Sequence, residues 1–150
     1  TGSEEPHQPE ICVLIIEDNS DDLFLTIELL KRINESVTIQ SATTLQAGIE
    51  LLRQAESVDV VLLDLNLPDS SGRETVEALR AADPDVALVV LTGQDDVMIG
   101  RECIEAGADD FACKNDLNAH ILERRIFITL SRKNCESAAE FGDSRLSVEP

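Results

Sequence analysis

Aromatic residues are scarce in this chain of 150 residues, which has no Trp, no Tyr and only four Phe. Proteins that bind single-stranded nucleic acid commonly stack its bases on aromatic side chains, so the shortage argues against that function. Basic residues are also few, since 12 Lys and Arg stand against 30 Asp and Glu for a formal net charge of -18. Because nucleic-acid phosphates are bound by basic patches, this charge argues against any direct binding of nucleic acid.

Long apolar runs are missing as well, since none approaches the roughly 20 residues that a membrane-spanning helix needs. The first residues do not resemble a secretory signal. The four cysteines form neither a CxxC pair nor a zinc-like spacing, and we interpret them as small hydrophobic residues in a reducing compartment: Cys12, Cys103, Cys113 and Cys135. His7 and His120 are too few and too far apart for a histidine metal site or a catalytic triad. The sequence therefore predicts a cytoplasmic protein without membrane contact.

The most informative stretch of the chain reads VDVVLLDLNLPDSSG and covers residues 58–72. Its apolar run predicts a buried strand, yet Asp64 stands near the end of that run. Burying an unpaired carboxylate costs several kcal/mol, so we expect Asp64 to be exposed where the strand emerges from the sheet. Turn-forming residues follow, and Ser71 with Glu74 is a capping-box pattern that predicts a helix directly afterwards.

The same unit of apolar strand, polar strand end and amphipathic helix recurs along the chain. The other predicted strands cover 11–16, 37–40, 86–91 and 109–113, and the shortest of them, 37–40, is predicted at an edge of the sheet. The predicted helices cover 23–33, 72–82, 94–106 and 115–133, with a further helix opened by Thr43 and Gln46 as a second capping box. We expect a disordered lead-in over 1–10, one folded domain over 11–133 and an acidic tail or linker over 134–150.

Strands that alternate with helices predict an α/β fold with a parallel sheet covered on both faces. For five such units we predict a doubly wound, flavodoxin-like (βα)5 arrangement with strand order 2-1-3-4-5. Ligands of such sheets bind at the carboxyl ends of the strands. The polar residues that the sequence places there are Glu17, Asp18, Asp64, Thr92 and Lys114.

Three carboxylates from two neighbouring strand ends repel one another and raise each other's pKa unless a cation lies among them. Hard oxygen ligands with room for water describe a Mg²⁺ site. A lysine ammonium and a threonine hydroxyl beside that site are suited to hold phosphoryl oxygens. The chemistry we infer from this set is phosphoryl transfer onto a carboxylate.

With this ordered set the chain resembles the receiver domain of two-component response regulators, a fold typified by the chemotaxis regulator that has no output domain. The resemblance covers about 11–133 and implies that Asp64 is the phosphoacceptor. It also implies a Mg²⁺ or Mn²⁺ site in which Asp18 ligates directly and Glu17 mostly through water. In this resemblance, Asn66, two residues after Asp64, supplies a backbone carbonyl to the metal.

The resemblance further implies that Thr92 is the switch hydroxyl, Lys114 the invariant lysine and Phe111 the switch aromatic. The partner that it implies is a sensor histidine kinase or a histidine phosphotransfer protein. Such a domain is not an enzyme in its own right, since it accepts a phosphoryl group and later loses it by hydrolysis.

Three positions depart from the pattern of the family. Glu17 replaces the commoner Asp, and Gly93 stands where a small residue such as Ala is usual and leaves more room beside the phosphoryl group. Asn115 follows Lys114 where the family usually has Pro in a cis peptide bond. Because a non-proline cis bond costs about 3 kcal/mol, either the loop bears that strain or the lysine is held less rigidly.

Three other functions compete with the signalling interpretation. A phosphatase of the haloacid-dehalogenase type also uses an aspartyl nucleophile, but it requires a second Asp, as general acid, at the position of Asn66. A flavin carrier shares the fold, but the chain lacks Trp, Tyr and a Ser/Thr-rich phosphate loop after the first strand. A degenerate receiver acts through protein contact alone, and the complete acidic set counts against it.

The last predicted helix is richer in apolar residues than one buried stripe requires, at Ile126, Phe127, Ile128 and Leu130. We therefore expect some of them to be exposed as a partner or homodimer surface. That surface would be the face formed by the helix 94–106, the strand that carries Phe111 and the last helix.

Overall fold

The computed structural model describes residues 11–33, 36–54, 57–93 and 97–141, with the backbone alone for Val97 and 134–141. One sheet contains five parallel strands, which we label β1 (Ile11–Ile16), β2 (Val37–Ala42), β3 (Val60–Asp64), β4 (Ala87–Thr92) and β5 (Asp110–Cys113). The strands lie in the order β2-β1-β3-β4-β5. The predicted doubly wound, flavodoxin-like α/β fold and its 2-1-3-4-5 order are therefore confirmed.

Five helices connect or follow the strands: α1 (Ser20–Ile33), α2 (Leu45–Gln54), α3 (Arg73–Ala82), α4 (Val97–Ala106) and α5 (Ala119–Phe141). The predicted end of the last helix at Lys133 is wrong, because α5 continues to Phe141. Residues 134–141 contain neither Pro nor Gly, so no local signal stops the helix before Gly142. The first part of the predicted tail or linker over 134–150 is thus helical.

Some predictions concern residues outside the described ranges. These are the lead-in over 1–10, the start of the α4 helix at 94–96 and the remainder of the tail over 142–150. Among the described ranges, no helix combines the length and the apolar character that crossing a membrane requires.

The core lies in two layers, one on each face of the sheet. Side chains of a strand alternate between the faces, so Val61 and Leu63 of β3 pack with Val76 and Leu79 of α3 on one side. Val60 and Leu62 contribute to the opposite layer, whose helical members include Leu30 of α1 and Leu122 of α5. Every residue of β3 is buried, because helices cover both faces.

The predicted caps of two helices shift by one residue. Gly72, not Ser71, precedes α3; its φ of 66° lies in the left-handed region that favours glycine, and no side chain caps the helix there. Ser71 instead pairs with Asn66 in a two-residue antiparallel ladder, so its backbone belongs to the loop. At α2 the capping hydroxyl is that of Thr44 and not that of Thr43: it accepts a hydrogen bond from the backbone amide of Ala47.

Arg80 connects several elements at the amino-terminal edge of the sheet. Arg80, in the last turn of α3, donates to the carbonyl oxygens of Gly107 at 2.7 Å and Val86 at 2.6 Å. Its guanidinium also lies 3.0 Å from the Asp109 carboxylate, and the side chain is 12% exposed. Asp109 in turn accepts a hydrogen bond from the Leu88 amide at 2.9 Å. One side chain thus joins α3, β4 and the loop that precedes β5.

Replacing this arginine should destabilise the fold. Arg80→Ala removes the guanidinium donor from the carbonyls of Val86 and Gly107, and it leaves Asp109 with Lys133 as its cationic contact, so we expect the free energy of unfolding to fall by about 2 to 4 kcal/mol. Urea denaturation measures this loss. Arg73→Ala is the matched control, because that exposed arginine of the same helix forms its ion pairs with the surface carboxylates of Glu77 and Glu105. Equal losses in the two variants would show that Arg80 has no special structural role.

Candidate functional site

The predicted site residues lie where the carboxyl ends of four strands meet. Glu17 and Asp18 directly follow β1, Asp64 ends β3, Thr92 ends β4 and Lys114 directly follows β5. The register pairs Ile16 of β1 with Leu63 of β3, which brings the three acids to neighbouring positions. An open cleft of about 840 Å³ is lined by six of the seven predicted residues, namely Glu17, Asp18, Asp64, Asn66, Thr92 and Lys114.

The three carboxylates are close enough to share one cation. Each of Glu17, Asp18 and Asp64 offers an oxygen, and these oxygens all lie within 4.8 Å of one another. The expectation that Asp64 is exposed is wrong, because its residue is only 6% exposed, and Glu17 is 3% exposed. Burial is tolerated since the Asp64 carboxylate accepts a hydrogen bond from the Asn66 amide at 3.3 Å and faces an ammonium group.

That ammonium belongs to Lys114, which contacts three carboxylates. Its Nζ atom lies 2.5 Å from Glu17 Oε1, 3.0 Å from Asp22 Oδ2 and 3.4 Å from Asp64 Oδ1. The lysine side chain is 17% exposed. Sequence reasoning placed Lys114 beside Asp64 but missed Asp22, because an acid in the first turn of a helix is common and marks nothing by itself.

Burial and mutual contact shift the protonation of these groups. The pKa of Glu17 is raised from 4.5 to about 7, mainly by burial and then by the neighbouring Asp64, while Lys114 opposes both effects. Burial alone would lower the pKa of Lys114, but hydrogen bonds to Glu17 and Asp22 outweigh it, so that pKa is raised. The lysine therefore stays charged, but one ammonium group does not balance the charge of the carboxylates around it.

The donor set fits Mg²⁺. This ion takes hard oxygen ligands at about 2.0 to 2.1 Å, so its ligands lie roughly 3 to 4 Å apart, and the three carboxylate oxygens, all within 4.8 Å of one another, are close enough for small side-chain movements to reach that spacing. Glu17, Asp18 and Asp64 are the residues that would hold it, and a dication would offset the charge that one lysine leaves unbalanced.

The loop between β3 and α3 is anchored to the neighbouring helix. The carboxylate of Asp69 accepts hydrogen bonds from the amides of Leu45 at 2.9 Å and Gln46 at 3.0 Å, at the start of α2. The bonds from Gln46 and then Leu45 lower the pKa of Asp69. This second carboxylate of the loop was not singled out from the sequence, because its partners lie far away in the chain. The anchor restrains the segment that carries Asn66.

Thr92 and Gly93 lie at the rim of the site. Thr92 is buried at the end of β4, and an added Cβ on Gly93 would meet no atom within 4 Å. The expected free space beside Gly93 is therefore present.

Phe111, the seventh predicted residue, lies on β5 outside the cleft. Its ring is partly buried and packs on Gly100 of α4 so closely that any Cβ at Gly100 would overlap it. The structure thus separates Phe111 from the carboxylates and places it between β5 and α4.

The lysine loop does not use a cis peptide bond, because none occurs in the described residues. Lys114 begins a short 3₁₀ turn, Lys114–Asp116, and its carbonyl accepts a hydrogen bond from the Leu117 amide at 3.2 Å. Of the two alternatives for this loop, the strained one is wrong. The side chain is held by carboxylates at its far end.

The family follows from the match of the chain to a known domain pattern. The pattern of the response regulator receiver domain matches residues 13–125, which include the acidic pair, Asp64, Thr92 and Lys114. The chain belongs to the response regulator receiver domain family. Solved structures similar to this chain include a CheY-like receiver domain from Methanospirillum hungatei JF-1, with a TM-score of 0.74 and 25% identity, covering 85% of this chain and 99% of that one.

Two curated relatives are longer than this receiver domain. A cyclic di-GMP phosphodiesterase of Thermotoga maritima is 36% identical over 118 residues, which cover 77% of this chain and 30% of that protein. The cell cycle transcriptional regulator CtrA of Caulobacter vibrioides is 30% identical over 138 residues, covering 91% of this chain and 58% of that protein. The chain thus spans less than two thirds of either relative, and what each does as a whole is a property of that protein.

Neutralising Glu17 should change how the stability of the metal-free receiver domain depends on pH. Because the folded-state pKa of about 7 exceeds the ordinary 4.5, protonation of Glu17 stabilises the fold fully below pH 4.5, and this gain is lost as the pH rises through 7. We therefore expect the stability of Glu17→Gln relative to wild type to increase as the pH rises over this range.

Urea denaturation in the presence of a metal chelator, repeated across that pH range, measures the difference. Glu74→Gln removes the same charge from an exposed position in the first turn of α3 and serves as the control. A wild-type-to-Gln difference at Glu17 that stays constant with pH would contradict the raised pKa.

Proposed function

We propose that this receiver domain accepts a phosphoryl group on Asp64 from a phosphohistidine of a sensor histidine kinase or a histidine phosphotransfer protein. The observation that carries the proposal is the environment of Asp64. Its carboxylate lies in an open cleft, with oxygens of Glu17 and Asp18 within 4.8 Å and the Lys114 ammonium at 3.4 Å. Aspartyl nucleophiles of this kind form a covalent phosphoryl intermediate.

In the proposed transfer, an Asp64 carboxylate oxygen forms a bond to phosphorus while the bond between phosphorus and the histidine nitrogen breaks. The electron pair of that bond stays on the imidazole, which takes up a proton from solvent. Lys114 and Thr92 would bind phosphoryl oxygens, since an ammonium and a hydroxyl both donate hydrogen bonds to them. Mg²⁺, when bound by the three acids, supplies positive charge that offsets the carboxylates and the phosphoryl group.

The same site supports a signalling role over an enzymatic one. A phosphatase with an aspartyl nucleophile needs a general acid, but the residue two positions after Asp64 is Asn66, whose amide does not donate a proton in this way. A degenerate receiver would not need the acids, and the set of Glu17, Asp18 and Asp64 is complete. We therefore propose that the domain signals by its phosphorylation state, with later hydrolysis of the aspartyl phosphate.

Phosphorylation should be read out at the face formed by α4, β5 and α5. The phosphoryl group adds close to two negative charges, which would attract the Thr92 hydroxyl and leave space into which the Phe111 ring turns. Met98 and Ile104 of α4 are exposed, as is Ile128 (44%) of α5. Phe127 is also exposed (39%), but it lies on the side of α5 that faces Leu30 of α1.

The expectation that part of the apolar set of α5 is exposed is therefore confirmed, whereas Ile126 is buried and Leu130 packs against the core. An exposed apolar surface of this kind suits a protein partner or a second copy of the domain. A homodimer through this face is part of the proposal.

Phosphorylation by a small donor tests the acceptor. With acetyl phosphate we expect an acid-labile label on the wild type only when Mg²⁺ or Mn²⁺ is present, because the clustered carboxylates otherwise repel the phosphoanion. Asp64→Asn should abolish the label, measured by intact mass. Asp85→Asn, an exposed change in the loop before β4, should keep it. Undiminished labelling of Asp64→Asn would refute the assignment of the acceptor.

The proposed switch is tested by NMR with beryllofluoride, which mimics the aspartyl phosphate. We expect shift changes at Phe111 and along α4 and α5 as well as in the loops around Asp64. In Thr92→Ala the changes at Phe111 should become smaller, because the hydroxyl that would couple the two residues is gone. Changes confined to the loops around Asp64 would show that this output route is wrong, even where beryllofluoride binds.

A further inference from the structure

Asp22 is a fourth carboxylate of the cleft, and neither the metal site nor the acceptor uses it. It lies in the first turn of α1, 92 residues from Lys114 in the chain. Its Oδ2 atom nevertheless accepts a hydrogen bond from Lys114 Nζ at 3.0 Å. The contact links the start of α1 to the loop after β5.

The position of Asp22 is fixed by the local structure. The side chain of Asn19 accepts hydrogen bonds from the amides of Asp21 at 2.9 Å and Asp22 at 3.0 Å, which caps the helix. The carbonyl of Asp22 accepts a hydrogen bond from the Thr26 hydroxyl, and Thr26 is buried. The carboxylate of Asp22 therefore projects from a backbone that is held on both sides.

The lysine ammonium has three N–H donors, and three carboxylates surround it. Two of these partners, Glu17 and Asp64, change state when a metal or a phosphoryl group arrives, because both belong to the reacting cluster. Asp22 belongs to neither event. Since Lys114 Nζ contacts Asp22 at 3.0 Å and Asp64 at 3.4 Å at once, the contact with Asp22 does not withdraw the lysine from the acceptor.

We propose that Asp22 is a positioning residue that holds the Lys114 ammonium over Asp64, so that two of its donors remain available for phosphoryl oxygens. The lysine side chain has several rotatable bonds, and restraining its end in advance reduces the conformational entropy that binding would otherwise cost. This role rests on the proposed phosphorylation of Asp64 and deepens it.

The experiment measures beryllofluoride affinity at saturating Mg²⁺ by NMR titration, together with Mg²⁺ affinity and melting temperature. Asp22→Ala should weaken beryllofluoride binding about fivefold to tenfold, as expected for a charge-assisted hydrogen bond that positions its partner. Asp21→Ala is the matched control, since it removes the same charge from an exposed residue of the same helical turn. Both variants should have similar Mg²⁺ affinities.

Two further variants separate positioning from a general structural effect. Asp22→Glu should restore most of the affinity, because the longer carboxylate still reaches a flexible ammonium. In a Lys114→Met background, Asp22→Ala should have no further effect on beryllofluoride binding, because the partner that it positions is gone. Asp22→Asn keeps the side-chain volume and should show a smaller loss in the same direction, so the comparison holds even where the alanine variant folds poorly.

Several outcomes would overturn the role of Asp22. Equal losses in Asp21→Ala and Asp22→Ala would mean that only the overall charge matters. Tighter beryllofluoride binding in Asp22→Ala would mean that Asp22 competes with the phosphoryl group for the lysine. A full additional loss in the Lys114→Met background would show that Asp22 acts through another group. Wild-type protein that binds no beryllofluoride would instead overturn the proposed function, which is a distinguishable result.

Discussion

The repulsion among carboxylates at the ends of β1 and β3 is the constraint on which the functional end of this receiver domain depends. Glu17 and Asp64 are almost fully buried, and Asp18 lies beside them with one charged lysine to balance the group. Burial raises the pKa of Glu17 because it removes water from the charged carboxylate, and Lys114 opposes this effect without cancelling it. In the proposed function a cation and a phosphoanion bind this site together, and each relieves the electrostatic cost that the other would meet alone.

The stabilising interactions that balance this cost lie elsewhere in the fold. The apolar layers on the two faces of the sheet include all four residues of β3 that precede Asp64. At the opposite edge, Arg80 and Asp109 connect α3, β4 and the loop that precedes β5 through charge-assisted hydrogen bonds. Because the rigid contacts are distant from the carboxyl ends of the strands, the loops at those ends can hold unfavourable charges without loss of the fold.

Contacts from outside the reacting cluster keep those loops in place. Asp69 binds the start of α2 and restrains the loop that follows Asp64, while Asp22 reaches Lys114 from the start of α1. Both are aspartates whose backbone position is set by a helix or turn and whose carboxylates bind residues that are distant in the sequence. The loop after β5 has a trans bond before Asn115, and its lysine is restrained at the ammonium end of the side chain.

Local pattern was sufficient to predict the strands, their order and the set of polar residues at their ends. Apolar runs and turn residues are read over a few positions, and a parallel sheet with right-handed connections admits few arrangements. Helix boundaries were predicted less accurately than strands: α5 continues beyond Lys133, and the caps of α2 and α3 lie one residue from their predicted positions. The tertiary structure alone decided the burial of Asp64, the packing of Phe111 on Gly100 and the contact of Asp22 with Lys114. These features join residues that are distant in the chain, and they depend on how the helices pack on the sheet, which no short stretch of sequence encodes.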